Sequence, residues 1–152
     1  MTHYATVADL EAAVGGPAEF SDWREITQER INQFADATGD HQWIHVDPER
    51  AASGPFGTTI AHGFLTLSMI SEMLMGITTL EGVGMVINYG LDKVRFLGVV
   101  PVGSRIRAST QLTAVVPAAQ GLRVSTTVTM EIDGVDKPAM VAESIALFVI
   151  AG

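Results

Sequence analysis

The hydrophobic positions change period part-way along the chain. From Ile26 to Thr38 the residues Ile31, Phe34 and Ala35 recur at helical spacing, with Thr27 placed to cap the first turn and Gly39 placed to end the last. Asp47-Pro48-Glu49-Arg50-Ala51-Ala52 predicts a second, brief helix: aspartate caps well, proline suits the first helical position, and glutamate favours the positive end of the dipole. A turn, Gly39–Val46, lies between the two. Ser53–Thr59 is loop by composition. Ala61-His62-Gly63 then opens a helix to about Met75 that is hydrophobic on nearly all sides and must therefore be buried.

Beyond that helix the period becomes two. In 105–116, Ile106, Ala108, Leu112 and Ala114 alternate with polar residues, and in 122–132 Leu122, Val124, Val128, Met130 and Ile132 do the same, so each segment predicts a long strand with one wet face. Turns fall at Pro117–Gly121 and Asp133-Gly134, and Ala139–Ile150 is apolar on both faces, as in a strand covered on both sides. Met85–Tyr89 and Lys93–Gly98 predict two further strands. With no internal repeat, low-complexity segment or linker, residues 1–152 read as one α+β domain, helices first and antiparallel strands second. The simplest packing wraps the sheet around the helix after Gly63, the one element apolar enough to fill its inner face.

Composition narrows the function classes. At 152 residues and 47% hydrophobic content, folding buries roughly two-thirds of the chain's surface, enough for a core without disulfides or a structural metal. The chain has no cysteine, which excludes thiol nucleophiles, thiolate zinc sites and redox motifs. A net charge of −8 argues against gripping a nucleic-acid backbone. Residues 1–60 hold three basic and ten acidic side chains against six and seven in 61–152, so an anionic ligand is expected on the C-terminal portion. The start Met-Thr-His-Tyr lacks a basic and apolar leader pattern, and Phe64–Ile77 is interrupted by Ser68, Ser71 and Glu72, so the expectation is a cytoplasmic protein without a membrane span.

Candidate chemistry concentrates in Ala37–Pro48. Asp40 and His45 lie five residues apart across a turn, so a carboxylate and an imidazole can face one cavity and hold one water between them, as general acid–base catalysis requires. The alternative is a turn-forming aspartate beside a satisfied, partly buried histidine. His41 and His45 are four apart, but Gly39 and the turn argue against one helix presenting both, and no third ligand has suitable spacing, so no metal is expected. Gly63 opens the buried helix with a free backbone N–H that can polarise a carbonyl unhindered by a side chain, or else merely permits close packing.

Together these segments resemble the MaoC-like dehydratase family, which includes the (R)-specific enoyl-CoA hydratases. Thr38-Gly39-Asp40, Ile44, His45 and Ala51 match the family's Ser/Thr-Gly-Asp-x-Asn-Pro-aliphatic-His pattern and the small residue beyond it. Ala61-His62-Gly63 matches the motif heading its central helix, and Arg95-Phe96 with Pro101-Val102-Gly103-Ser104 resembles its strand-and-turn segment. Gln42-Trp43 replaces the motif's Asn-Pro, a departure expected to alter how the turn is braced and to reshape the pocket entrance. The resemblance implies a hot-dog fold, usually dimeric, with an acyl thioester in a tunnel beside the central helix and no metal or redox cofactor. The implied reaction is hydration of a trans-2-enoyl-CoA, or its acyl-carrier-protein counterpart, to the (R)-3-hydroxyacyl thioester. In it Asp40 is the base, His45 the acid, and the Gly63 N–H the oxyanion donor. Phe56, Ile60, Thr66 and Ser71 are expected to line the pocket, with Arg95, and less specifically Arg105, Arg107 and Arg123, as candidates for the carrier's phosphates. Exposed strand edges predict a homodimer joined edge to edge. A thioesterase and a non-catalytic acyl-thioester binding module are the alternatives.

Overall fold

A computed structural model describes residues 1–151. Four long strands dominate it: β5 (Val83–Phe96), β6 (Arg105–Ala118), β7 (Gly121–Ile132) and β8 (Val135–Ile150). The short strands β1 (Thr2–Tyr4), β2 (Glu19–Phe20), β3 (Arg24–Glu25) and β4 (Thr78–Leu80) complete the set. The main sheet is antiparallel in the order β2-β6-β7-β8-β5, with β3 also paired to β6, while β1 and β4 form a separate parallel pair. The period-two segments thus become strands as expected. The two segments expected at 85–89 and 93–98 are one strand, which absorbs the irregular Tyr89–Lys93 stretch by register shifts at Asn88/Gly90 and Asp92/Arg95.

The helices are α1 (Val7–Ala12), α2 (Gln28–Thr38), α3 (Trp43–Val46), α4 (Pro48–Ala52), α5 (Gly63–Ser68) and α6 (Ile70–Met75). Thr27 caps α2 by accepting the Arg30 N–H, and Gly39 closes it with φ 79°, a left-handed conformation in which glycine escapes the Cβ penalty. Asp47 caps α4, with Pro48 in its first turn. The expected central helix is broken at Met69 into α5 and α6. Ser68 donates its hydroxyl proton to the Phe64 carbonyl (2.7 Å) and Thr66 does so to His62 (3.5 Å), back-bonding that bends helices.

The inner face of the sheet is filled in two parts. Leu65, Met69, Ile70 and Met73 of α5 and α6 pack with Ile106, Val128, Met130 and Met140 in the principal core. Toward the other end of the strands a smaller core joins Leu10 of α1 to Leu80, Leu122, Val124 and Phe148. Between them lies a cavity of about 410 Å³, where Thr126, Ser144 and Ala146 leave the sheet short of bulk. No helix among the described residues is long and apolar enough to cross a membrane.

Met130 is completely buried in the principal core. Met130→Ala is expected to lower stability by about 2–5 kcal/mol, seen as a reduced urea midpoint at unchanged m-value. A midpoint equal to wild type would show that the core collapses around the loss.

Candidate active site

The left-handed turn at Gly39 releases the chain from α2 so that Asp40 stands exposed at the helix end, where its Oδ1 accepts the Gln42 N–H (3.3 Å). Five residues on, α3 carries His45 inward until it is buried. Two hydrogen bonds stitch α3 to the segment preceding α5. Ile60 N–H donates to the Ile44 carbonyl (3.0 Å), and His45 Nδ1–H donates to the Ile60 carbonyl (2.7 Å). Gln28 adds a third clamp, donating from Nε2 to the His45 carbonyl (2.7 Å) and accepting the Thr59 hydroxyl. A carbonyl cannot donate, so Nδ1 carries the proton and Nε2 presents a lone pair. Burial lowers the His45 pKa below its ordinary 6.5, which keeps the ring neutral at pH 7.

His62, which the sequence placed in a motif without a role of its own, is the residue that joins the parts. It is buried and stacks on His45 with ring centroids 3.8 Å apart and planes 23° from parallel. Its Nε2–H donates to the Asp40 carbonyl (2.9 Å), fixing the loop that carries the carboxylate. Its Nδ1 is buried without a partner. The one signal in the sequence was its place beside Gly63. Gly63 follows at the first position of α5, exposed, and a Cβ there would stand 3.2 Å from the Phe96 ring. The His62 side chain makes no capping bond to α5, so the amide at Gly63 is free to meet a ligand atom.

Asp40, His45 and His62 each offer a ligand atom within 4.8 Å of the others, and they form the group of described residues able to hold a metal. The stacking disfavours that use, because an ion about 2.0 Å from a nitrogen of each ring would lie well out of both ring planes. His41 takes no part: its Nε2 pairs with Asp36 (2.9 Å) at the surface, and that carboxylate raises its pKa.

The other expected residues divide. Ser71 lines the cavity, accepting a hydrogen bond from Asn88 (3.2 Å) rather than bonding back to its own helix. Ile60 and Thr66 are buried and do not line it; Ile60 bridges Pro101, and the Thr66 hydroxyl donates to the His62 carbonyl. Phe56 is exposed in the loop after α4, away from the cavity. Arg95 lies on exposed β5 and bonds the Val94 carbonyl. Arg105 pairs with Asp133, and Arg107 with Glu131 between the rings of Phe20 and Trp23, so these two belong to a solvated sheet face. Arg123 sits 5.7 Å from the Tyr89 ring. Trp43, expected at the pocket entrance, instead packs against Gly54 beneath the Arg50 guanidinium and braces the turn between α3 and α4.

Residues 9–134 match the family described as MaoC like domain. The chain belongs to the MaoC-like dehydratase family. Relatives include 3-hydroxyacyl-thioester dehydratase Z of Mycobacterium tuberculosis, 55% identical over 150 residues covering 98% of this chain and 99% of that protein. The (R)-specific enoyl-CoA hydratase of Rhodospirillum rubrum is 31% identical over 107 residues, covering 70% of this chain and 72% of its own. Among solved structures, R-hydratase PhaJ1 from Pseudomonas aeruginosa superposes with a TM-score of 0.74 at 21% identity, over 90% of this chain and 83% of that one, and shows the hot-dog fold. This MaoC-like chain is an enzyme with hydro-lyase activity.

Because His62 holds both members of the site, His62→Ala is expected to lower kcat about 100-fold with little change in KM, the scale of a 1 Å misplacement. His62→Gln, which keeps a donor for the Asp40 carbonyl, should recover part of the loss. Equal kcat in wild type and both variants would show that the stack is passive.

Proposed function

We propose that the chain catalyses the reversible hydration of a trans-2-enoyl-CoA to an (R)-3-hydroxyacyl-CoA. The observation that carries this reading is the approach of the Asp40 carboxylate and the His45 imidazole to within 4.8 Å, a gap that one water bridges with two ordinary hydrogen bonds. The relatives named as a 3-hydroxyacyl-thioester dehydratase and an (R)-specific enoyl-CoA hydratase support the same reaction, read in either direction.

The hydrogen bond from His45 to Ile60 supports a division of labour different from the one expected from the sequence. A neutral ring with Nδ1–H committed to Ile60 must take a proton before it can give one. In this reading the water donates one hydrogen bond to ionised Asp40 and one to His45 Nε2. Its oxygen attacks C3 as Nε2 takes the proton, and the displaced electron pair moves through C2 to the thioester oxygen, where the Gly63 N–H stabilises the enolate. The imidazolium returns the proton to C2 on the same face, and Asp40 offsets its charge in the interval. The thioester itself is not cleaved, and the acyl chain lies in the cavity that begins at Ser71.

The enzyme works as a homodimer in this proposal. Met85, Val86, Ile87, Tyr89, Leu91 and Phe96 of edge strand β5 expose between 40% and 62% of their surfaces, a long apolar edge that a second copy would cover. Gly63 and Phe64 lie open beside Phe96, so the same copy would complete a wall of the site. Sedimentation as a monomer at micromolar concentration would contradict this arrangement.

Loss of enoyl absorbance on adding crotonyl-CoA or longer enoyl-CoA tests the activity; no turnover at any length by folded protein refutes it, and free-thiol release from saturated acyl-CoA would indicate a thioesterase instead. Asp40→Asn and His45→Gln are each expected to lower kcat by about 100-fold or more. Protonated His45 cannot act as base, so kcat/KM for hydration should fall as pH drops through a value below 6.5. An acid limb centred above 6.5 would reassign the base.

A further inference from the structure

One end of the cavity is walled by residues of β4 and β6, and the first seventeen residues of the chain pack behind that wall. The cavity of about 410 Å³ runs beside α6 from Ser71 to Leu80 and Val83. A second void of about 30 Å³, lined by Tyr4, Ala13, Pro17 and Glu19 among others, lies next to it. Thr78, Leu112 and Thr126 line both, so the partition between them is one layer of side chains.

The first seventeen residues hold that partition from behind. β1 pairs in parallel with β4, and Glu81 N–H donates to the Tyr4 carbonyl (2.9 Å). Gly15 N–H donates to the carbonyl of Leu112 (2.9 Å), fastening the strap to β6 at the register shift that follows Leu112. Leu10 is completely buried against a cluster that includes the cavity walls Leu80, Val124 and Phe148, with Tyr4 and Leu112 packed on it. The family match begins at residue 9, so β1 and Tyr4 precede it.

We propose that Leu112, backed by the N-terminal strap at Tyr4, is the chain-length stop of the acyl cavity. Of the three shared wall residues Leu112 is the large apolar one, so the volume it yields on shortening accepts hydrocarbon without stranding a hydroxyl. The proposal rests on the enoyl-thioester reading above. Neither residue touches the Asp40–His45 pair, so the stop acts on the far end of the substrate and leaves the chemical step alone.

The test is a series of trans-2-enoyl-CoA substrates of increasing length, with initial rates for wild type, Leu112→Ala, Leu112→Phe and Tyr4→Ala, each checked for folding by circular dichroism. Leu112→Ala should raise kcat/KM about tenfold for substrates just beyond the wild-type limit, and Leu112→Phe should lower it by a similar factor for the longest wild-type substrates. Tyr4→Ala should extend the range in the same direction as Leu112→Ala, with each variant's rates read relative to its own rate on crotonyl-CoA. If Leu112→Ala does not fold, Leu112→Phe and Tyr4→Ala decide the question. Length profiles that superimpose on that of an active wild type overturn the stop alone. No turnover by wild type at any length overturns the enoyl-thioester reading and the stop with it.

Discussion

The helix at the centre of this fold is too short for the sheet it serves. From Gly63 to Met75 it rises about 20 Å, whereas a fourteen-residue strand such as β6 extends roughly 46 Å. Side chains from α5 and α6 therefore cover only one part of the inner face. The strands answer with small and hydroxylated residues at Thr126, Ser144 and Ala146, and α1 returns at the far end to bury Leu122, Val124 and Phe148. The cavity is the interval between two cores, and its place in the fold follows from that mismatch in length.

At its other end the same helix organises the chemistry. His62 and Gly63 sit where the chain enters α5, so the packing that fixes the helix also fixes the stacked ring and the free amide. The carbonyls of Ile60 and Asp40 each accept a hydrogen bond from an imidazole, and Gln28 grips the backbone of His45. The carboxylate stays in contact with water while the imidazole beside it is dry. That contrast lets a charged and an uncharged group stand side by side at neutral pH.

The parts of this arrangement that follow from local rules were legible in the sequence. Thr27, Gly39, Asp47 and Pro48 mark helix ends through their own backbone preferences, and β6 and β7 show their alternation residue by residue. Asp40 and His45 were legible as a pair because five residues of turn hold them together. The segment before Ile26 was not, because β1, β2 and β3 span three residues or fewer and owe their form to partners more than seventy residues away. Phe56, Ile60 and Thr66 were expected at the pocket, but none of them lines the cavity: Phe56 is exposed, and the other two are buried beside Pro101 and the His62 carbonyl. The role of His62 depends on a contact across twenty-two residues, which no local pattern records.

In the proposed homodimer, the uncovered edge of β5 ties the folding of one chain to the presence of another strand. From Val83 to Asn88 it pairs with β8 on one side, while its other side carries backbone groups that β8 does not use. Water can satisfy those groups, but it gains nothing from the apolar side chains between them. Any complementary strand that docks there removes free chain from the folding equilibrium by mass action. In the proposed homodimer, measured stability would be a property of the solution as much as of the sequence: dilute protein would melt earlier than concentrated protein, and a substitution on β5 that leaves every internal contact in place would still lower the melting temperature.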